Sequence, residues 1–299
     1  MGAKFTKKNS FAKNCEHMIE ESNVAHILKQ EHREILGEYF LYPCSEEFKP
    51  ENWSKCRYWN SFVFNHNRVI LPTEDGENDF INANHVDGWN VRGRYLCAQA
   101  PLQETTQDFW KMIFANQVRV IVMLTTLVEE GREACYPYWS PKKRGKVVHG
   151  KFTIKTLKIK SFRHHVVTSL RVTNETGASL NIKHFAYKDW PSYSLPQDPS
   201  NFLEFVLLVR KAQLMADLES VCGNVPPMLV HGSAGLNRTG AFCAIDISLS
   251  QYNERATISL SSVLRTLRKQ RHNCLGLSEH YVFCYLIVVI YAKLVADNF

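Results

Sequence analysis

The sequence has no Cys-x-x-Cys pair, no internal repeat, no low-complexity tract and no apolar run long enough to cross a bilayer. Its nine cysteines, an odd number, are scattered at Cys15, Cys44, Cys56, Cys97, Cys135, Cys222, Cys243, Cys274 and Cys284. That distribution excludes a zinc ribbon or a dithiol redox centre, and it predicts reduced thiols in a reducing compartment. The longest strongly apolar stretch, Tyr281 to Ala292, stops at Lys293. A membrane-spanning helix needs about 20 such residues, so the stretch reads as a buried helix. No apolar secretory segment opens the chain, where Met1–Asn9 is polar and basic. Without a secretory route, the glycosylation-like triplets at Asn52, Asn174 and Asn237 carry no meaning.

What is present is a chain of 299 residues, 45% hydrophobic and 22% charged, enough for one large domain or two small ones. The net charge of +7 favours phosphate-bearing partners of any kind and does not discriminate among them. The opening Met1-Gly2-Ala3-Lys4-Phe5-Thr6 fits the N-myristoylation pattern on Gly2, and Lys4, Lys7, Lys8 and Lys13 follow it. One acyl chain holds a membrane only marginally, and a basic cluster supplies the second attraction. Residues 1–21 are therefore expected to be a basic segment that can attach the chain peripherally to a membrane, ahead of a domain spanning 22–299.

Hydrophobic spacing predicts a helix over 16–37 and a buried strand at Val118–Leu124. Three alternating segments between 147 and 187, broken by Thr-Asn-Glu-Thr-Gly, predict an antiparallel meander. Ser200 is expected to cap a helix carrying Phe202, Phe205, Val206 and Val209, and Ser261 to cap another with Val263, Leu264 and Leu267 inward. Met228-Leu229-Val230 reads as a short strand, Thr239–Gln251 as a helix and 278–297 as the last helix. His164-His165 reads as a strand pair with one ring in and one out. Strands mixed with helices and no linker predict a single α/β domain.

Between that short strand and the helix after it lies HGSAGLNRTG, residues 231–240. A strand, a glycine-bearing turn and a helix start form the geometry that binds phosphate, because successive N–H groups converge at a positive helix end. Ser233, Ala234, Gly235, Leu236 and Asn237 would supply the amides, and the Arg238 guanidinium can grip two phosphate oxygens at once. Gly235 and Gly240 permit tight turns, Asn237 tolerates left-handed geometry, and Thr239 carries a hydroxyl that can meet loop or ligand. A nucleotide-binding loop, Gly-x-x-x-x-Gly-Lys-Ser/Thr, has the same length from Gly232 to Thr239 but fails at Asn237 and Arg238.

The stretch resembles the signature loop of the protein tyrosine phosphatases, His-Cys-Ser-Ala-Gly-x-Gly-Arg-Ser/Thr-Gly. Other motifs follow in the family's order: Lys55-Cys-Arg-Tyr58, Asp79-Phe-Ile-Asn-Ala-Asn84, Gln99-Ala-Pro-Leu102, Asp108-Phe-Trp110, Ile121-Val-Met-Leu-Thr125 and Tyr138-Trp139. The resemblance covers about residues 25–295. It implies a single tyrosine-phosphatase domain, with a highly twisted mixed sheet flanked by helices and the signature loop between a strand and a helix. It also implies a phosphotyrosine pocket made by Tyr58, Asn60, Glu129 and Trp190, with Glu129 orienting Arg238. Asn60 stands where the family usually has aspartate.

The departures fall on the chemistry. The family reaction needs a thiolate nucleophile and a general acid. Gly232 stands at the cysteine position and Ser192, after Trp190-Pro191, at the acid aspartate. Gly276 and His280 replace glutamines that place the hydrolytic water, and Ala134 replaces a lysine that pairs with the acid. His231 keeps only the structural part of its family role. The resemblance thus implies a phosphatase-like protein that binds phosphotyrosine without turnover. A scaffold with a vestigial pocket, and an enzyme using Ser233 or an outside nucleophile, remain as alternatives. No cofactor, metal or nucleic acid is implied. The chain further resembles the degenerate phosphatase-like proteins of bracoviruses of parasitoid wasps. That likeness implies action in the cytoplasm of an infected host, on host phosphotyrosine proteins, with immune signalling as the context.

Overall fold

The computed structural model describes residues 23–38, 40, 42–59, 61–74, 76–220 and 225–297. The Gly2 acylation pattern, its lysines and Asn60 lie outside the described residues. Helix α1 (Val24–Gly37) and the single turn α2 (Pro50–Trp53) precede the strands β1 (Arg68–Ile70), β2 (Phe80–Val86) and β3 (Tyr95–Ala98). Helix α3 (Thr106–Ala115) leads into β4 (Val120–Met123) and a small hairpin of β5 (Val128–Glu129) and β6 (Arg132–Glu133). Strands β7 (Lys146–His149), β8 (Phe152–Ser161), β9 (His165–Thr173) and β10 (Ser179–Tyr187) follow, then α4 (Pro199–Leu218). The chain finishes with β11 (Met228–His231), α5 (Asn237–Arg255), α6 (Leu260–Gln270) and α7 (Ser278–Ala296).

All strands except the hairpin join one nine-stranded sheet in the order β1-β2-β3-β11-β4-β10-β9-β8-β7. The centre, β3-β11-β4-β10, is parallel, and the flanks are antiparallel. The β-branched run of β4 is buried on both faces. Val120 and Val122 join the core beneath α4, α5 and α7, while Ile121 and Met123 join the core beneath α3. A strand covered on both faces loses the polar alternation that an exposed strand keeps. The meander over β8–β10 does alternate, as its Lys155, Lys158 and Lys160 facing solvent show.

Several expected boundaries shift. The described part of the first helix begins at Val24. The helix after the meander is capped by Asp198, whose side chain accepts from Ser200 N–H; Ser200 itself lies in the first turn. Asp accepts a hydrogen bond as well as Ser does, and the following Pro199 suits the first helical position. For the same reason Ser259, not Ser261, caps α6 by accepting from Ser262 N–H. His165 opens β9, whereas His164 lies before it and pairs with Asp189. Helix α7 is the one helix among the described residues long and apolar enough, by length and composition, to cross a membrane. Here it packs against α1, α5 and α4, burying Tyr281, Phe283, Cys284, Leu286, Ile287, Val288 and Ile290.

The parallel strands bring their C-terminal ends together beneath α5, the place where α/β sheets bind ligands. A buried polar chain supports that edge. His184 Nε2 lies 2.7 Å from Tyr138 Oη, which lies 2.8 Å from His231 Nε2, and His231 Nδ1 lies 3.2 Å from Gly232 O. One proton arrangement satisfies all three contacts: His184 donates to Tyr138, Tyr138 to His231, and His231 to the carbonyl. Both rings are then neutral. Burial lowers His184 to about 3, and burial with the charges of Arg57 and Arg238 lowers His231 to about 4. Burial also lowers His280 to about 4.

An unfolded histidine takes up a proton near its ordinary value of 6.5. Below that pH the unfolded chain binds protons that the folded chain refuses, so stability falls. The stability these rings confer is complete above about pH 6.5 and is lost as pH falls towards 4. The melting temperature is expected to be level from pH 8 to 6.5 and to drop by at least about 5 °C by pH 5. A melting temperature unchanged across that range would contradict the neutral, buried assignment.

Candidate anion-binding site

Residues 232–236 connect β11 to α5, and almost every carbonyl in the turn is held from outside. His231 O accepts from Leu124 N–H at 2.8 Å, Gly232 O from His231 Nδ1, and Ser233 O from Ala100 N–H at 2.9 Å. Ala234 O accepts from Ser61 Oγ at 3.3 Å and Arg271 Nη2 at 3.5 Å, and Leu236 O from Gly240 N–H at 2.9 Å and Leu275 N–H at 3.2 Å. Among the described residues no peptide bond is cis. In a trans peptide the next N–H points opposite its carbonyl. The N–H groups of Ser233, Ala234, Gly235 and Asn237 therefore turn away from the scaffold, towards the inside of the loop. Among the described residues, none of the N–H groups of 233–238 donates to another group of the chain. The first turn of α5 adds amides with no intrahelical acceptor and the positive helix end.

The glycines divide by function. Gly235 has φ +68°, and a Cβ there would stand 2.1 Å from Ala98 O, so the turn admits no other residue. Gly240 lies inside α5, and a Cβ on it would meet Cys274 Sγ at 2.6 Å; it serves close packing, not a turn. Gly232 is different. Its φ lies outside the left-handed region, and a Cβ would meet Thr239 Oγ1 at 3.6 Å, Arg238 Cβ at 3.8 Å and Arg238 Nε at 4.0 Å. These are ordinary van der Waals separations. The backbone at 232 retains a conformation in which a side chain fits.

Asn237 does not use left-handed geometry. It opens α5, and its Oδ1 accepts from Gly276 N–H at 2.8 Å, tying the signature turn to the 271–276 loop. That loop carries Leu275 at φ 53°, a strained conformation for a residue with a side chain. Leu275 N–H donates to Leu236 O, and Leu275 O receives His32 Nε2 at 2.9 Å.

Arg238 is clamped. Its Nη1 and Nη2 donate to the two carboxylate oxygens of Glu129 at 2.5 and 2.8 Å, and Nη1 also reaches Trp190 O at 3.3 Å. Its Nε lies 4.0 Å from where a Cβ on Gly232 would stand. Glu129 further accepts from Thr125 Oγ1 and from Ser192 Oγ, both at 2.7 Å. Burial alone would raise the Glu129 carboxyl, but the donors and the Arg238 charge outweigh it and bring its pKa to about 2. The pair thus stays ionised at any physiological pH. An aspartate in place of Ser192 would set carboxylate against carboxylate at this point.

Trp190 is buried, and its Nε1 donates to Ser194 O at 2.9 Å. His280 reaches the same carbonyl through Nε2 at 3.1 Å and packs on the Trp190 ring. The Trp190–Ser194 loop is therefore held at both ends by Arg238, Glu129 and His280. Tyr58 stands at the rim, 40% exposed, with its phenol oxygen 2.9 Å from Ser233 Oγ. The structure brings Tyr58, Glu129, Trp190, Ser192, Asn237, Arg238, Gly276 and His280 around the turn. Ala134 is buried, and Asp189 pairs with His164.

No described thiol takes the place left by Gly232. Cys274 lies behind the turn near Gly240, and burial pushes its thiol up to about 12. Sequence reasoning missed Arg271. It is fully buried and donates to Asn84 Oδ1 at 2.9 Å and Asn82 Oδ1 at 2.6 Å while holding Ala234 O. Its place between Lys269 and His272 in a polar stretch gives no sign of burial. The pattern Asn82-Ala-Asn84, polar residues in a strand, is the signal that a buried donor must meet them.

A family model described as protein-tyrosine phosphatase matches residues 52–290. The chain is 46% identical to tyrosine phosphatase-like protein J1 of Microplitis demolitor bracovirus (isolate Webb), covering 94% of this chain and 95% of that one. It is 37% identical to tyrosine phosphatase H2 of the same virus, covering 94% and 88%. It is 34% identical to the mouse tyrosine-protein phosphatase non-receptor type 9, covering 82% of this chain and 42% of that one.

The two turn glycines are expected to respond oppositely to alanine. Gly235→Ala meets a carbonyl at left-handed φ and should lose about 3 kcal/mol or more of unfolding free energy in urea. Gly232→Ala should lie within about 1 kcal/mol of wild type, on the stabilising side. Equal losses at both positions would contradict the backbone geometry described.

Proposed function

The chain belongs to the protein-tyrosine phosphatase family, and from that premise we propose that it binds phosphotyrosine-bearing proteins without hydrolysing them. One observation carries the reading: five of the six carbonyls of the 231–236 turn are held by hydrogen bonds and Arg238 is clamped by Glu129, beside a Gly232 with no side chain. A donor-rich cradle for a dianion accompanies the loss of the atom that would attack it. Tyr58 at the rim offers a ring face to a phosphotyrosine side chain.

The chemistry of turnover finds no substitutes nearby. Ser192 is too weak an acid to protonate a leaving phenolate near neutral pH, and its hydroxyl is spent on Glu129. His280 is neutral, with its Nε2 bonded to Ser194 O and its Nδ1 buried, so neither nitrogen faces solvent water. Ser233 shares its hydroxyl with Tyr58 and lacks an adjacent base. Removing a thiolate from beneath a phosphate dianion also removes a like-charge contact, which favours holding the ligand.

The similarity to bracovirus phosphatase-like proteins supports a setting in host cytoplasm. There such a protein would shield host phosphotyrosines from phosphatases and adaptors, in immune signalling among other pathways. An acyl group on Gly2 with the following lysines would concentrate it at the inner membrane surface, where many phosphotyrosine proteins lie.

Titration with a phosphotyrosyl peptide and its unphosphorylated twin tests the binding. The phosphorylated form is expected to bind at least about tenfold tighter, with the difference abolished in Arg238→Met, and an aryl phosphate is expected to be released unchanged. Equal affinities for the two peptides would instead mark a scaffold with a vestigial pocket. Turnover lost in Ser233→Ala would mark an enzyme.

A further inference from the structure

We propose that the floor of the signature turn holds a halide-sized monovalent anion against the Thr239 hydroxyl, and that this anion opposes phosphotyrosine binding above it. The proposal deepens the phosphotyrosine-binding reading and rests on it for the second half only.

Thr239 is fully buried, and among the described residues its Oγ1 has no hydrogen-bond partner. The hydroxyl lies 3.6 Å from the position of a Cβ on Gly232, with Arg238 Nε 4.0 Å from the same point. Buried hydroxyls are paired in native proteins, so an orphan at a helix start points to a ligand. The polar groups bordering that position, Thr239 O–H and Arg238 Nε–H, are both donors, and the inward amides of the turn add more. Water has two lone pairs and would turn its own hydrogens towards donors. A spherical anion accepts from all of them and gains from the helix end and from Arg238. Glu129 lies on the far side of the guanidinium, engaged through Nη1 and Nη2, so its charge does not occupy the floor.

A Cβ placed on Gly232 would have Thr239 Oγ1 at 3.6 Å and Arg238 Nε at 4.0 Å, so both groups border the space that a side chain at this position would enter. Chloride matches a thiolate sulfur in radius and charge. It would therefore restore beneath the phosphate the like-charge contact that Gly232 removed. The affinity for phosphotyrosine would then follow chloride concentration specifically, and not ionic strength.

The test holds ionic strength constant while gluconate, too large for the floor, is replaced by chloride. Chloride is expected to raise the melting temperature of the wild-type protein and to weaken a phosphotyrosyl peptide by about tenfold at saturation. Both effects should vanish in Thr239→Val. Should that variant fail to fold, Gly232→Ala, whose methyl group fills the same space without steric conflict, should remove them. In bromide-soaked crystals an anomalous peak is expected beside Thr239 Oγ1. Halide stabilisation with no peptide binding would uphold the anion site and sink the phosphotyrosine reading. Peptide binding indifferent to chloride, with no bromide peak, would overturn the anion site alone. A bromide peak at the centre of the amides, with antagonism intact in Thr239→Val and Gly232→Ala, would also overturn it, since the halide would then merely occupy the phosphate position.

Discussion

The carbonyl groups of His231, Ser233, Ala234 and Leu236 are each held by a donor outside the turn, Gly232 O is held by the His231 ring, and the orientation of the amides follows from that. Those donors come from the strand ends at Ala100 and Leu124, from the buried Arg271 and Ser61, and from Leu275. None of them depends on a side chain at position 232. This is why a glycine there need not relax the turn: its conformational freedom is spent against a frame of fixed partners. A flexible residue in a fully constrained segment costs stability through the unfolded state and leaves the native geometry in place.

The residues that depart from the phosphatase pattern are not idle. Ser192 bonds to Glu129, His280 to Ser194 O, and Asn237 to Gly276 N–H. Each contact ties one loop of the site to another. Together with the Arg238–Glu129 pair they hold the Trp190 loop against the signature turn. A general acid must reach its substrate and a water-positioning group must stay free; here the corresponding positions are committed to hydrogen bonds within the protein. With loops tied together in this way, less ordering remains to be done when a ligand arrives.

Much of this was legible in the sequence, for physical reasons that can be named. The run at 120–123 and the alternation over 152–187 are hydrophobic patterns whose period reports burial directly, and both elements form where expected. The ordered motifs around HGSAGLNRTG marked the family and the Arg238–Glu129 pair. Caps were less legible, since Asp198 and Ser259 each stand two residues before the serine that was expected to act, and any of these side chains can accept the bond. Least legible were contacts between distant segments. Arg271, Tyr138 with its two histidines, and the unpartnered Thr239 hydroxyl acquire meaning only once the fold brings them to one edge of the sheet.

The cradle itself is most directly tested by diffraction from crystals soaked in tungstate, an oxyanion that needs no nucleophile to bind. A preformed cradle predicts full occupancy within the turn, with the oxyanion contacted by the amides of residues 233–238 and by Arg238 Nε, and with the backbone unmoved. An empty turn, or one whose amides diverge while Arg238 swings away from Glu129, would contradict it.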